Sequence, residues 1–572
     1  MPYRAPVEEF KFLFDNIVGL EAIAKTSRFE NASDDVVLAI LNEAGKICEE
    51  VLSPLQRSGD QDGARLENGI VRTTPGFADG YKAIADAGCI SISADPQHGG
   101  MGLPMLVTNA VNEMIAGACL SIQLNPLMTQ GQIDALEHHA SDEIKALYLP
   151  KLVSGEWNGT MNLTEAHAGS DVGALRTKAE PNGDGTYAIS GQKIYISWGD
   201  NDFTENVVHL VLARLPDAAP GTKGISLFLV PKLIPDEHGN PGVANTLKVV
   251  SLEHKMGLHG SPTAVMQYDG ATGWLIGEEH AGMRAMFTMM NNARLGVGSQ
   301  GVAVAEAAFQ HAAHYAADRK QGLSPVENGI GTIIDHADVR RMLATMKANT
   351  FAARAIASAC AAAIDMEKAT GASEWTARAE LLTPICKGFG TETGIQVADH
   401  GVQVHGGMGY IEETGAAQYV RDVRVTAIYE GTTGIQAMDL VGRKLSDSGE
   451  AAHAMIDEIA DNAERGRAKF PELAEPVWQA SEALREATDW MVKQQNFNAR
   501  FAGSVPYLRA FAQVLGGHFH LMAAMAEGKT GPRGRLARFY IKRLLPESYA
   551  HIAHATAGDA ELYAMPAEDF AA

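Results

Sequence analysis

Apolar residues recur at steps of three and four along two stretches near the start of the chain, Val36 to Leu52 and Val107 to Leu120. This period places apolar side chains on one face of an α-helix. Glycine and proline interrupt the chain between such stretches, as in DPQHGGMGLP at 95–104. The first part of the chain is therefore predicted to be largely helical.

A different pattern begins near residue 186 and continues to about 276. Short runs rich in β-branched residues, TYAISGQKIYIS, VVHLVLAR and GISLFLVPK, are separated by Gly, Pro, Asn and Asp. Such runs are typical of strands, and the residues between them are typical of turns. This region is predicted to form a sheet.

The helical period returns at residue 281 and persists beyond 445. One continuous apolar stripe, of the kind that a helix bundle buries, comprises Val339, Met342, Leu343, Met346, Thr350, Ala353 and Ile356. Two later stripes comprise Val477, Leu484 and Met491, then Leu508, Phe511, Leu515 and Met522. The predicted order is helical, β, helical, helical.

Several domains are expected, because 572 residues exceed what one hydrophobic core holds. We predict a multidomain α+β chain, divided into an N-terminal extension (1–35), a helical N-terminal domain (36–158), a central β domain (159–280), a helical bundle (281–445) and a C-terminal helical extension (446–572).

Composition and charge limit the partners and the location. A formal net charge of −22 and a pI near 5.3 argue against a general affinity for nucleic acid or anionic membranes, which are polyanions. The sequence has no long uncharged apolar window that predicts a transmembrane helix, and its acidic start is unlike a signal peptide. Its five scattered cysteines predict neither a disulfide framework nor a metal site. We expect a cytoplasmic protein.

Six segments rich in glycine and small polar residues carry the candidate chemistry. Any one of them alone is explained by an ordinary glycine-rich loop, but backbone of this kind also lies close to planar ligands and phosphates. In chain order they are MNLTEAHAGSDVGALRTKAE (161–180), ISGQKIYISWGDND (189–202), KMGLHGSPTAVMQYDG (255–270), NNARLGVGSQGVA (291–303), VQVHGGMGY (402–410) and RDVRVTAIYEGTTGIQ (421–436).

With these six segments in this order, the chain resembles the acyl-CoA dehydrogenase family over roughly residues 76–445. The resemblance implies a helical domain, a β domain and a helical bundle, which is the order that the hydrophobic pattern predicts. It also implies bound FAD and the α,β-dehydrogenation of an acyl-CoA thioester to the trans-2-enoyl-CoA.

The first two segments supply the implied flavin contacts. By resemblance, Leu163 and Thr164 bond the pyrimidine end of the flavin, and Tyr195 and Ser197 flank its ring and N5. Ser170 is expected near the pantetheine or phosphate part of CoA.

The later segments complete the implied cofactor site across a dimer. Arg319 matches the arginine that meets the FAD diphosphate, although an exposed cation at a helix end also explains it. Gln403, Gly406 and Gly407 match the tight turn against the adenosine diphosphate portion. The implied assembly is a homodimer or a dimer of dimers, with one subunit supplying residues to its neighbour's FAD.

Glu430, in IYEGTTGIQ, is the expected catalytic base, because removing a weakly acidic α-proton requires a carboxylate placed against it. Thr432 is expected to bind FAD and Gly431 to lie on the substrate side. Three interpretations of Arg294 stay open: support of the active-site helix, contact with the CoA arm, or an exposed helix-surface arginine.

The N-terminal segment and the helices after residue 445 exceed a minimal family member. They resemble a long bacterial subgroup that includes an enzyme acting on 3-methylmercaptopropionyl-CoA, which would give methylthioacryloyl-CoA in dimethylsulfoniopropionate breakdown. A general short- or medium-chain acyl-CoA dehydrogenase of β-oxidation is the alternative. The expected electron acceptor is an electron-transfer flavoprotein, and an acyl-CoA oxidase, which passes electrons to oxygen, is the enzymatic rival.

One basic cluster favours a different function. It comprises Lys529, Arg533, Arg535, Arg538, Lys542 and Arg543, without an intervening acid. Such a segment can bind phosphates, as in a DNA-associated flavoprotein. Ion pairs or a solvated helix face within an acidic protein are the commoner explanation.

Overall fold

The computed structural model describes residues 3–571. The chain forms two compact units. The sheet unit contains residues 3–7 and 31–296, and the bundle unit contains residues 8–30 and 297–571. The finer domain boundaries given above stay predictions.

The sheet unit begins with helices, as the period of its apolar residues predicts. They are α3 (Asp34–Ile47), α4 (Ser53–Gln61), α5 (Phe77–Asp86), α6 (Met105–Ala118), α7 (Leu120–His139) and α8 (Asp142–Val153). A π-helical turn at Cys48–Leu52 continues α3, so the predicted stretch from 36 to 52 is helical throughout. Every residue of α6 is buried, which explains why its apolar residues are not confined to one face.

Eleven strands lie in the sheet unit. They are β1 (Arg65–Glu67), β2 (Ile70–Arg72), β3 (Trp157–Asn162), β4 (Lys178–Pro181), β5 (Tyr187–Ser197), β6 (Asn206–Arg214), β7 (Ile225–Pro231), β8 (Leu233–Pro235), β9 (Pro241–Ala244), β10 (Leu247–Leu252) and β11 (Thr263–Ile276). The main sheet runs β10-β11-β5-β4-β6-β3, and β7 pairs with both β11 and β6. The predicted sheet region is confirmed.

The sheet extends further toward the N-terminus than the pattern predicted. β3 pairs in parallel with β6, and β4 pairs with β5. The sequence of β3, WNGTMN, is almost wholly buried but largely polar, so no apolar run marks it as a strand. This placement matters because the first candidate segment begins in β3.

The bundle unit is entirely helical in its described secondary structure. Its helices are the remainder of α1 (Val7–Leu13), α2 (Leu20–Ala24), the second half of α9 (Gly282–Asp318), α10 (Ala337–Thr370), α11 (Ser373–His405), α12 (Ala416–Val423), α13 (Thr433–Asp439), α14 (Glu450–Arg467), α15 (Pro471–Lys493), α16 (Phe497–Ala502), α17 (Ser504–Glu527), α18 (Pro532–Arg543), α19 (Glu547–Ala555) and α20 (Ala560–Tyr563). α10 packs on α11, and α17 packs on both.

The three predicted apolar stripes lie in the core of this bundle. The stripe on α10 is buried apart from half-buried Val339, and the stripes on α15 and α17 are buried apart from half-buried Met522. The helical periods were therefore read correctly, and the C-terminal helices form one core with the bundle helices.

Three members of the basic cluster are engaged with acidic neighbours. Lys529 and Arg538 both meet the Glu472 carboxylate, at 3.4 and 3.3 Å. Arg533 bonds a carboxylate oxygen of Glu9 at 2.8 Å and one of Glu527 at 3.0 Å. Three of the six cations are thus paired within this acidic protein. The exposed Arg535, Lys542 and Arg543 fit the alternative of a solvated helix face.

All five cysteines are buried, and none of them is joined in a disulfide. They are Cys48, Cys89, Cys119, Cys360 and Cys386. Among residues 3–571, no helix has both the length and the apolar character needed to cross a bilayer.

Candidate functional site

The sheet unit brings four of the predicted flavin residues together. The turn at Leu163 and Thr164 follows β3, and the Ile194 amide of β5 donates to the Thr164 carbonyl at 2.9 Å. Tyr195 follows directly, with a left-handed φ of +61° and a ring that is 61% exposed. Ser197, half-buried, ends β5. An exposed ring thus lies beside the turn and two hydroxyl-bearing residues.

A buried ion pair supports this turn. The Lys193 ammonium, fully buried, donates to the Leu163 carbonyl at 3.0 Å and to Glu165 Oε1 at 2.8 Å. The Glu165 carboxylate also accepts the Thr177 hydroxyl at 2.6 Å and the amides of Thr177 and Arg176 at 3.0 and 2.8 Å. The main chain of the turn at Leu163 and Thr164 is therefore tied to the interior of the sheet unit.

The protonation of the pair follows from these contacts. Burial alone would raise the pKa of Glu165, but the charge and hydrogen bond of Lys193, with those of Thr177 and the Arg176 amide, lower it to about 2. Burial lowers the pKa of Lys193 to about 8 although the carboxylate opposes this shift. The carboxylate gathers donors from three residues, so we infer that both groups are charged at neutral pH.

The two predicted substrate residues of the sheet unit differ in exposure. Ser170 is exposed, two residues beyond the short bridge that joins Glu165 and Ala168. Arg294, on α9, is only 7% exposed, and its guanidinium carbon lies 5.9 Å from the centre of the Phe287 ring. The interpretation of Arg294 as an exposed helix-surface arginine is therefore wrong, and support of the helix and contact with CoA stay open.

Glu430 lies on a sharp turn in the bundle unit. It has a φ of +55°, and Gly431 after it has a φ of +88°. A left-handed conformation is uncommon for a residue other than glycine. A Cβ at position 431 would lie 2.7 Å from Gln436 Nε2, so both the backbone and the space require glycine there. Glu430 itself is half-buried.

Buried side chains hold both carbonyls of this turn. The Gln436 side-chain amide donates to the Glu430 carbonyl at 3.1 Å. The Lys387 ammonium, from the middle of α11, donates to the Gly431 carbonyl at 2.6 Å. Lys387 and Gln436 are both fully buried. Sequence reasoning missed both residues, although Gln436 is the last residue of the segment that contains Glu430.

The residues flanking the turn are also held. The Tyr429 hydroxyl donates to the Gln300 side chain, which is fully buried on α9. Thr432 caps α13, since its hydroxyl oxygen accepts the Ile435 amide at 3.3 Å. The backbone that presents Glu430 is therefore held from α9, α11 and α13.

The remaining predicted FAD residues lie at two helix ends. Arg319 is exposed just after α9, and Gln403, Gly406 and Gly407 are exposed at the end of α11. The rings of Tyr315 and His405 stack at 4.3 Å, which brings these two ends together. A Cβ at either glycine would meet nothing within 4 Å, so the backbone is open to approach.

These groups suit FAD in kind. The sheet unit offers an exposed aromatic ring beside hydroxyls, which suits a planar ring with a polar edge. The bundle unit offers an exposed arginine beside open glycine backbone, which suits a diphosphate. Within residues 3–571, no group of three or more His, Cys, Asp or Glu side chains is arranged to hold a metal ion.

Four family models match the chain in order. The acyl-CoA dehydrogenase N-terminal domain matches residues 37–156, its middle domain matches 160–271, and its C-terminal domain matches 280–445. A model described as acetyl-CoA dehydrogenase C-terminal like matches residues 453–566. The helices after residue 445 thus have counterparts in known proteins.

Named relatives span nearly the whole chain. The 3-methylmercaptopropionyl-CoA dehydrogenase of Ruegeria pomeroyi is 46% identical over 547 residues, covering 93% of each chain. A butyryl-CoA dehydrogenase of Syntrophomonas wolfei is 33% identical, with 99% of each chain covered. Among solved structures, Caenorhabditis elegans ACDH-11 in complex with C11-CoA has a TM-score of 0.78 at 21% identity, covering 94% of this chain and 91% of that one, so it shows the shared fold.

The family models cover well over half of the chain, and the named relatives are acyl-CoA dehydrogenases as well. The chain therefore belongs to the acyl-CoA dehydrogenase family, and its reaction is the FAD-dependent dehydrogenation of an acyl-CoA thioester.

Proposed function

We propose that the substrate is 3-methylmercaptopropionyl-CoA and the product methylthioacryloyl-CoA. The observation that carries this proposal is the 46% identity to the Ruegeria pomeroyi enzyme over 93% of both chains. Identity to the Syntrophomonas wolfei butyryl-CoA dehydrogenase is 33% over a similar span. A general short-chain preference is the alternative that must be measured against it.

A panel of thioesters tests the substrate. The rate of flavin bleaching without oxygen is measured with 3-methylmercaptopropionyl-, butyryl-, octanoyl- and palmitoyl-CoA. We expect the highest kcat/KM for the sulfur-containing thioester, by about tenfold over butyryl-CoA, since one extra group in an apolar pocket changes specificity by about 10- to 200-fold. An equal or higher value for butyryl-CoA contradicts the proposal.

Glu430 is the proposed base that removes the α-proton. Its carboxylate starts from a turn whose two carbonyls are held by buried donors, so its backbone origin is fixed. A base must lie within hydrogen-bond reach of the proton that it removes, and a fixed backbone favours this. When bound, FAD supplies the acceptor for the hydride that leaves Cβ.

The other predicted residues have supporting roles in this proposal. Leu163, Thr164, Tyr195 and Ser197 bind the flavin portion, and Thr432 reaches the diphosphate or adenosine edge of FAD. Ser170, Arg294 and Gly431 lie on the substrate side. The exposed ring of Tyr195 and the hydroxyls near it support the first assignment, and the exposure of Ser170 to solvent supports access of a long CoA arm.

A homodimer completes the proposed FAD site, with Arg319, Gln403, Gly406 and Gly407 acting on the neighbouring subunit's cofactor. Lys387, which bonds the catalytic turn, and Gln403 lie sixteen residues apart on α11. At 1.5 Å per residue they are separated by roughly 24 Å, so one small site does not include both. Light scattering should give a dimer or a dimer of dimers, and a monomer that retains FAD contradicts this arrangement.

The proposed electron acceptor is an electron-transfer flavoprotein. The test follows reoxidation of the substrate-reduced enzyme in air and with that acceptor. Rapid reoxidation only with the flavoprotein is expected. Rapid reoxidation in air with stoichiometric peroxide would identify an acyl-CoA oxidase instead.

A further inference from the structure

Lys387 is an unusual residue for its position. It lies in the middle of α11, between Cys386 and Gly388, and its side chain is fully buried. Burial of an ammonium group is unfavourable unless hydrogen bonds or opposite charges compensate it. An apolar side chain would fill the same interior without this cost, so the lysine must have a specific partner.

The turn that carries Glu430 supplies such a partner. The Lys387 ammonium lies 2.6 Å from the Gly431 carbonyl oxygen, within the range of a strong charge-assisted hydrogen bond. The carbonyl belongs to the residue directly after Glu430. The buried ammonium thus bonds the main chain next to the proposed base, although 44 residues separate the two in the sequence.

The backbone of this turn needs such support. A residue such as Glu430 held at positive φ is strained and persists only where its surroundings fix it. Two side chains fix the turn, and they act from different places. Gln436 belongs to α13, which follows the turn directly. Lys387 belongs to α11, a long helix packed against α10 and α17.

We propose that Lys387 is a positioning residue for proton abstraction, which anchors the Glu430 turn to the rigid part of the bundle. This inference rests on the proposed role of Glu430 as the base. Lys387 acts through the backbone, with its ammonium fixing the Gly431 carbonyl and hence the direction from which the Glu430 side chain leaves the main chain. A base misplaced by about 1 Å can lose about 100-fold in rate while ligands still bind.

The test compares Lys387→Met with Lys444→Met. Met fills a similar volume without a donor or a charge. Lys444 is a matched control, because its side chain is 11% exposed in the same unit and its ammonium bonds the Glu380 carboxylate at 2.8 Å, away from the turn. Flavin content, the substrate concentration for half-saturation and the rate constant of anaerobic flavin reduction are measured for each.

For Lys387→Met we expect the flavin content and half-saturation to stay within about twofold and the reduction rate constant to fall about 10- to 100-fold. With α-deuterated substrate the isotope effect on reduction should rise, because removal of the α-proton becomes more strongly rate-limiting. Lys444→Met should keep the wild-type rate constant and isotope effect. If Lys387→Met fails to fold, Lys387→Gln, which retains a shorter donor, is measured in the same way.

A second pair of variants separates this inference from the assignment of the base. Near-normal reduction by Glu430→Gln overturns the base, whatever Lys387→Met does. An inactive Glu430→Gln together with a wild-type rate constant in Lys387→Met overturns the positioning role alone. In the Glu430→Gln background, Lys387→Met should cause no further loss of the residual rate, since the lysine acts only through the glutamate. A full additional loss contradicts the inference.

Discussion

Lys193 of the sheet unit and Lys387 of the bundle unit are both fully buried, and each donates to a main-chain carbonyl of a turn that we assign to the site. Lys193 also meets the Glu165 carboxylate, which gathers further donors from Thr177 and Arg176. Lys387 instead bonds a turn with two left-handed residues. The first lysine belongs to a network whose loss should affect stability, and the second bonds a strained turn whose loss should affect rate.

The largest expected effect is on the bundle side, at Glu430. Glu430→Gln keeps the size of the side chain and removes its basic charge, so flavin reduction by acyl-CoA should fall about 100- to 10,000-fold, the usual contribution of a general base. The measurement is anaerobic flavin bleaching in a stopped-flow instrument. FAD content and acyl-CoA binding should match the wild type, and reduction near the wild-type rate would exclude this base.

The next largest effect is on the sheet side, where Glu165→Gln leaves the buried Lys193 ammonium without its carboxylate. Breaking a buried pair costs about 3–5 kcal/mol, so thermal unfolding and release of FAD should both occur at clearly lower temperature. Asp86→Asn, which breaks the exposed pair with Lys82, is the control and should change little. Unchanged unfolding of Glu165→Gln would remove the distinction between the two lysines.

The pH dependence of stability provides a second test of the Glu165–Lys193 pair. The pKa of Glu165 is lowered from 4.5 to about 2 in the folded protein, so the folded state binds this proton more weakly than the unfolded chain. The stability that the carboxylate contributes is present above pH 4.5 and is lost as the pH falls toward 2. The difference in unfolding temperature between wild type and Glu165→Gln should therefore be full at pH 7 and shrink below pH 4.5. A difference that grows in acid contradicts the ionised pair.

A smaller effect is expected from adding a single methyl group to the turn that carries Glu430. Gly431→Ala forces a Cβ to within 2.7 Å of Gln436 Nε2 at a φ of +88°, so we expect a loss of about 1–3 kcal/mol in stability and slower flavin reduction. Gly434→Ala is the matched control, because its Cβ would lie 3.8 Å from the Thr432 hydroxyl oxygen. Similar reduction rates for both variants would show that the turn tolerates movement.

The smallest effect concerns cations that neither stabilise a buried network nor hold a turn. Arg535, Lys542 and Arg543 are the exposed members of the basic cluster that lie outside its ion pairs. Replacing all three by Gln should leave flavin reduction unchanged. Fluorescence anisotropy should show no binding of duplex DNA by wild type at physiological salt, and tight binding that the triple variant loses would revive a nucleic-acid function.

The repeating elements were predictable from the sequence because they follow from local periodicity. The stripe from Met342 to Ile356 has a helical period, and β5 and β6 are rich in β-branched residues. The hydrophobic pattern does not mark β3, because its buried residues are mostly polar and its strand character comes from pairing with β6. Tertiary contacts, and not the local sequence pattern, determine that this segment is a strand.

The same limit applies to the candidate site. Glu430 and the turn at Leu163 and Thr164 could be proposed as site residues because their motifs are continuous in sequence. Lys193 stands in a strand that has both buried and exposed side chains, so its sequence also allows an exposed lysine. Lys387 stands among small residues, and they give no sign of the hydrogen bond to Gly431, 44 residues later. The left-handed φ of Glu430 was also not predictable, since this conformation is uncommon for a residue other than glycine.

The buried cysteines give each unit an internal reporter. Burial raises the pKa of Cys89, in the sheet unit, and of Cys360, in the bundle unit, to about 12. Their reactive thiolate forms are therefore scarce in the native protein. An alkylating reagent modifies such thiols when the surrounding structure opens, so peptide mapping of modified cysteines records which unit opened. Cys386 directly precedes Lys387 in α11. Its rate of alkylation therefore reports the opening of the helix segment that bonds the Glu430 turn.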